Sequence, residues 1–242
     1  MELLEQAYFT ECGVLVRHIA AGSGRALEIA QSGRVDLVLV HAPELEDAFI
    51  KHGYGIGKKR MMTNDFYLVG PPVDPAGLQF IREEAGVTGL FRQIALTQKP
   101  FISRGDRSGT HQREQKIWEM TGMALQDHWY ITSPGVVGNQ GALELAIERE
   151  AYTLIDSATY WKAQCQDKMA VYAGESTQDP LLINHFSLIR VNPERFSHVN
   201  DKDARAFIGW VTEGKGRDII AGFGKEYGGK PFFSVGDNGK DE

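Results

Sequence analysis

Long apolar runs are missing from this 242-residue chain, and no stretch of about 18 apolar residues could cross a bilayer. A charged leader followed by a short apolar segment is absent from the start, which opens Met1-Glu2-Leu3-Leu4 in helical spacing. Two origins fit that start: a cytosolic protein, or a precursor longer than the sequence shown. Cysteine is scarce, at two residues, Cys12 and Cys165, far apart and outside any Cys-x-x-Cys pattern. That argues against a zinc site or a redox pair, and the plainer reading is two buried thiols. Excess positive charge is also lacking. The net charge is −6 with both signs interspersed, so nothing draws the chain to nucleic acid or an anionic membrane. Any anion it holds must be attracted locally. No Walker loop, His-x-x-x-His pair or carboxylate cluster is present.

What is present is an alternation of short apolar runs with helical patterns. Val14–Ile19, Val35–Val40, Phe66–Val69, Pro100–Ser103, Tyr152–Ile155, Met169–Tyr172 and His185–Val191 read as strands. Helices are expected at 25–32, 43–51, 78–84, 88–97, from 110 to about 120, and at 142–149, 156–163, 204–211 and 217–223. Such alternation predicts an α/β protein with a mainly parallel sheet. The length allows two lobes. Gly70-Pro71-Pro72 punctuates the chain sharply, and the 185–191 run can return it to the first lobe. The expected organisation is therefore lobe I over 1–72 and 186–242, and lobe II over 73–185. In such a clamshell the binding cleft is expected between the lobes.

Ser103-Arg104-Gly105-Asp106-Arg107-Ser108-Gly109-Thr110-His111 is the most informative stretch. A strand ends, glycines allow close backbone approach, and a helix begins. Helix starts carry unsatisfied N–H groups and the positive end of a dipole, which suits an anion. Arg104 adds a planar fork of donors matched to oxyanions. The plainer reading of Ser108-Gly109-Thr110 is an ordinary cap with surface charges around it, and Asp106 reads as a group that orients Arg104. A similar strand-to-helix turn surrounds Ser23 and Gly24, and a third candidate is the glycine-rich 134–141 segment with Gly138 and Asn139. His41 and Asp156 each follow an apolar strand and read more simply as structural. Asp106, Ser108 and His111 can be drawn as a triad on paper, yet their spacing across a turn does not readily give the required hydrogen-bond chain.

His41-Ala42-Pro43-Glu44, Asn64-Asp65-Phe66, Gly70-Pro71 with Asp74–Gly77, Ser103–His111, Trp129-Tyr130 and Ala151–Leu154 occur in order. Together they resemble the tungstate-binding proteins of Tup-type ABC transporters, from about residue 3 to 233. The resemblance implies a type II periplasmic-binding-protein clamshell with a hinge. It implies capture of tungstate or molybdate without any cofactor or cationic metal, and delivery to permease and ATPase subunits from the periplasm or cell surface. It implies that Arg104, Ser108, Gly109 and Thr110 contact the oxyanion; Ser23, Gly24, Gly138 and Asn139 are further candidates. Against the family pattern, the chain starts just after the usual first strand and its Thr/Ser turn, so lobe I is expected to lack that strand. Residues 135–141 also differ from the family's Gly-x-Gly-Met-Gly spelling. The rival readings are an enzyme acting on a phosphorylated or acidic small molecule, and a truncated relative that binds nothing.

Overall fold

The structure is a computed structural model, and it describes residues 1–126, 128–132, 138–174 and 179–236. In chain order the elements are α1 (Glu2–Cys12), α2 (Ser23–Gln31), β1 (Leu37–Val40), α3 (Pro43–Lys51), β2 (Gly55–Gly70), α4 (Arg82–Thr97), β3 (Phe101–Ser103), α5 (Gly109–Thr121), β4 (Tyr130–Thr132), α6 (Gly138–Glu148), β5 (Tyr152–Asp156), α7 (Ser157–Ala163), β6 (Ala170–Ala173), β7 (Ile183–Val191), α8 (Asp201–Glu213) and α9 (Lys215–Gly222). Short 3-10 turns lie at Leu78–Phe80, Pro180–Leu182 and Lys225–Tyr227. The chain divides into two compact units. Unit 1 is Met1–Thr63 with His185–Glu242, and unit 2 is Asn64–Asn184.

In unit 2 the side chains of β2 alternate between two cores. Phe66 and Leu68 join Phe91, Ile94, Phe101, Ile117, Trp118 and Tyr152 on one face, with helices α4 and α5. Tyr67 and Val69 join Ile102, Ala142, Leu143, Ile155 and Tyr160 on the other, with α6 and α7. Period-two alternation with apolar residues on both faces is the signature of a sheet covered twice. Strand β3 runs parallel to β4 and β5, which brings the ends of β3 and β5 side by side. Both β5 and β6 pair antiparallel with β2. Unit 1 repeats the logic on a smaller scale. Leu188 packs with Leu4, Tyr8, Phe207 and Val211, while Ile189 and Val191 pack with Leu27, Val38, Val40 and Phe49. There β1 pairs antiparallel with β7.

Three expectations need correction. The sheet pairing is mixed, because β2 and β7 run against their neighbours. An apolar run such as Val38–Val40 reports coverage by helices on both faces and says nothing of direction. Residues 14–19 are irregular rather than a strand; Leu15 and Ile19 are exposed, and only Val14 and Val16 rest partly on the unit 1 core. Cys12 is exposed at the end of α1, while Cys165 is buried, and both are free thiols. Among the described residues no helix is long and apolar enough to cross a membrane.

Candidate oxyanion site

The turn after β3 is built by short-range hydrogen bonds. Gly105 takes φ +63° and Arg107 φ +57°, so the chain makes two left-handed steps within three residues. Glycine makes the first without strain, whereas an ordinary side chain at the second costs about 1 kcal/mol. Asp106 offsets that cost by accepting the Ser108 N–H at 3.0 Å. Ser108 then caps α5, its hydroxyl oxygen accepting the His111 N–H at 3.3 Å. The His111 Nδ1 accepts the Arg107 N–H at 2.9 Å, which requires a neutral ring protonated on Nε2. Burial, together with the Arg104 charge, pushes the imidazole below its usual range, against the pull of Asp106. The N–H groups of Gly109 and Thr110, first in the helix, lie too early for any intrahelical acceptor.

Arg104 lies across this helix start with a side chain only 10 % exposed. One terminal nitrogen, Nη1, donates to the Thr110 hydroxyl at 3.3 Å and to the Asn139 carbonyl oxygen at 2.9 Å. The other, Nη2, donates to Asp106 at 2.6 Å. Its Nε is buried and has no hydrogen-bond partner among the described residues. Burial pushes the Asp106 carboxyl upward, but hydrogen bonds from Ser108 and the Arg104 charge outweigh it and hold the group below the ordinary carboxylate range. Asn139, at the start of α6, donates its amide N–H to Asp156. Asp156 in turn caps α7, accepting the Thr159 N–H at 3.0 Å and the Thr159 hydroxyl at 2.7 Å. Strand ends β3 and β5 and helix starts α5, α6 and α7 thus converge on one guanidinium.

The structure brings Arg104, Ser108, Gly109, Thr110 and Asn139 together in unit 2, with Gly138 beside Asn139 at a φ of +68°. Residues 134–137 of that glycine-rich stretch lie outside the described residues. Ser23 and Gly24 sit in unit 1, where the buried Ser23 hydroxyl accepts the His41 N–H at 3.2 Å and ties the start of α2 to the end of β1. His41 stacks on Phe186 with ring centroids 4.9 Å apart. The paper triad does not form: the Ser108 hydroxyl meets the His111 backbone, and the Nδ1 of the ring meets the Arg107 backbone. Among the described residues no three His, Cys, Asp or Glu gather as metal ligands.

Sequence reasoning missed Glu114. It is 1 % exposed and lies behind the turn, accepting from the Ser103 hydroxyl at 2.9 Å and the Tyr130 hydroxyl at 2.7 Å. In the sequence it stands within Gln112-Arg113-Glu114-Gln115-Lys116, which reads as a solvated helix face. Its partner Ser103 lies eleven residues back, across the turn, and no helical or strand periodicity links the two positions.

A two-unit α/β chain with a buried arginine at a helix start is the build of a type II periplasmic binding protein, and comparison with known proteins agrees. The family described as the PBP superfamily domain matches residues 2–215. The tungstate-binding protein TupA of Peptoclostridium acidaminophilum is 32 % identical over 97 % of this chain and 80 % of its own length. Among solved structures, the tungstate-binding protein TupA from Desulfovibrio alaskensis G20 is similar at a TM-score of 0.81 and 29 % identity, covering 98 % of this chain and 93 % of that one. The tungstate ABC transporter structure from Geobacter sulfurreducens is similar at a TM-score of 0.76 and 36 % identity, covering 92 % of this chain and 91 % of that one. The chain belongs to the PBP superfamily and, within it, to the family of the TupA tungstate-binding proteins.

Proposed function

We propose that this chain is the solute-binding component of an ABC importer, capturing tungstate or molybdate and delivering it to permease and ATPase subunits from the periplasm or cell surface. Arg104, Ser108, Gly109, Thr110, Gly138 and Asn139 form the anion-holding set of unit 2; Ser23 and Gly24 are the corresponding candidates within unit 1. The observation that carries this reading is Arg104. Its guanidinium is buried and held by three partners, and its Nε has no hydrogen-bond partner among the described residues, which leaves a charged donor suited to an oxyanion. A tetrahedral dianion beside the Gly109 and Thr110 N–H groups would use that donor and the helix dipole together. Charge-assisted hydrogen bonds of this kind replace the hydration of the anion. The ligand undergoes no chemistry, so the protein is a carrier rather than an enzyme and needs no cofactor.

Titration calorimetry with tungstate, molybdate, sulfate and phosphate tests the proposal. The expected result is one-to-one binding of tungstate. Arg104→Gln should weaken it at least about 100-fold, as expected for losing charged hydrogen bonds in a buried site. A folded chain that binds none of the four anions would overturn the reading.

A further inference from the structure

We propose that Glu114 is the positioning residue of the anion turn and that it gains a proton when an oxyanion dianion occupies that turn; this rests on the oxyanion reading above. Two hydroxyl donors meet on this one carboxyl, Ser103 at the end of β3 and Tyr130 on β4. The Trp118 side chain on α5 and the backbone N–H of Arg104 in the turn itself also favour its charged form. Gln115 donates to the Tyr130 oxygen at 2.6 Å and fixes that phenol. The carboxyl therefore pins the strand end and the first residue of the turn to the second turn of α5. The direction in which Arg104 leaves the backbone depends on it.

Among the described residues the side chains hydrogen-bonded to Glu114 are neutral, and its helix neighbour Arg113 lies over the Phe66 ring. The Arg104 guanidinium is directed to Thr110, Asn139 and Asp106 instead. On β4, burial and then the charge of Glu114 push the Tyr130 phenol far upward, so it stays neutral. From β5, Tyr152 faces Asp74, and on α4 the Arg92 guanidinium donates to the Thr121 carbonyl. On α5 itself, His111 is biased to its neutral form. With neutral donors at the carboxyl, burial raises Glu114 to about 7, and the hydrogen bonds from Tyr130, Ser103, Trp118 and the Arg104 backbone offset only part of that rise. Both forms are then accessible near neutral pH. Two negative charges brought to the other side of Arg104 disfavour a third behind it, so occupancy favours the neutral acid. By linkage, binding takes up protons and the affinity falls as pH rises.

The test is calorimetry with tungstate, a dianion across the range used, in pairs of buffers with different ionisation enthalpies. Near pH 7.5 the wild-type chain should take up a substantial fraction of a proton per anion, and its Kd should rise about tenfold from pH 6 to pH 9. Glu114→Gln, which mimics the neutral acid, should bind with no proton uptake and a flat pH profile. Tyr130→Phe removes a donor to the charged form and should shift the wild-type profile to higher pH. Wild-type binding with no proton uptake would overturn the role of Glu114 while leaving the oxyanion reading intact. Uptake that persists in Glu114→Gln would overturn it too, by assigning the proton to another group such as His111. No binding by the folded wild-type chain at any pH would refute the oxyanion reading itself, and this role with it.

Discussion

Replacing Glu114 by glutamine should invert the order of stability between acid and alkaline pH. In the native chain the Glu114 carboxyl sits at about 7 against an ordinary 4.5, and burial is the cause. A group raised in this way contributes stability that is fully present below about 4.5 and is lost as pH climbs through about 7. The loss amounts to about 3 kcal/mol once the group is charged. Glutamine has no such charge to bury. It does carry an N–H where Ser103 and Tyr130 both donate, so one hydroxyl must turn around, at about 1 kcal/mol. The variant should thus be about 1 kcal/mol less stable than wild type at pH 4.5 and about 2 kcal/mol more stable at pH 8.5. For a unit of this size the alkaline gain is about 4–8 °C in Tm. Unfolding followed by tryptophan fluorescence reports mainly on unit 2, because three of the four tryptophans, Trp118, Trp129 and Trp161, lie there and Trp210 lies in unit 1. Taking the difference between variant and wild type at each pH cancels the titration of every other group. A difference that stays constant across the range would show that Glu114 carries no buried charge and would refute the reasoning.

Two further outcomes follow from the same geometry. Asn139→Ala removes the carbonyl oxygen that holds Arg104 Nη1 and leaves Asp156 its Thr159 partner, so calorimetry should show tungstate affinity falling about tenfold with little change in Tm. Gly70→Ala should destabilise unit 2 by about 3 kcal/mol in urea unfolding, because a Cβ there would lie 2.2 Å from the ring of Tyr152, whose hydroxyl is anchored on Asp74 and Ala76 and prevents the ring from yielding.

The anion turn was legible because its chemistry is local. Ser108, Gly109 and Thr110 must cap whatever helix follows, and Arg104 stands six residues or fewer from every donor in the turn. The helix at 43–51 and the strand at 152–155 were legible for a similar reason, namely clean periodicity with proline or polar punctuation. What failed depends on distant partners. Gly55-Ile56-Gly57-Lys58-Lys59-Arg60 carries too much charge and glycine to read as strand, yet it forms the first part of the sixteen-residue β2. Lys58 is stabilised there by Glu46 at 2.9 Å, an ion pair no periodicity reveals. Val14–Ile19 has the right residues for a strand, but exposure leaves its apolar side chains little to pack against. The acceptor role of Asn139 toward Arg104 joins positions thirty-five apart, and only the parallel run of β3 beside β5 brings their helix starts together.

The division of the chain also sets an order of assembly. Unit 2 is one uninterrupted stretch, from Asn64 to Asn184, so each of its contacts closes within sequence already synthesised. Unit 1 has to wait, since β1 finds its partner β7 only after the whole of unit 2 has emerged. Closing that long loop carries an entropic cost that a loosely collapsed unit 2 would enlarge and a folded one reduces. As the chain is synthesised, the whole sequence of the Arg104 turn and its unit is therefore available while β1 is still without its partner strand. The same arrangement leaves the early apolar strand Leu37–Val40 as the segment with the longest wait, and so the one most in need of protection as the nascent chain grows.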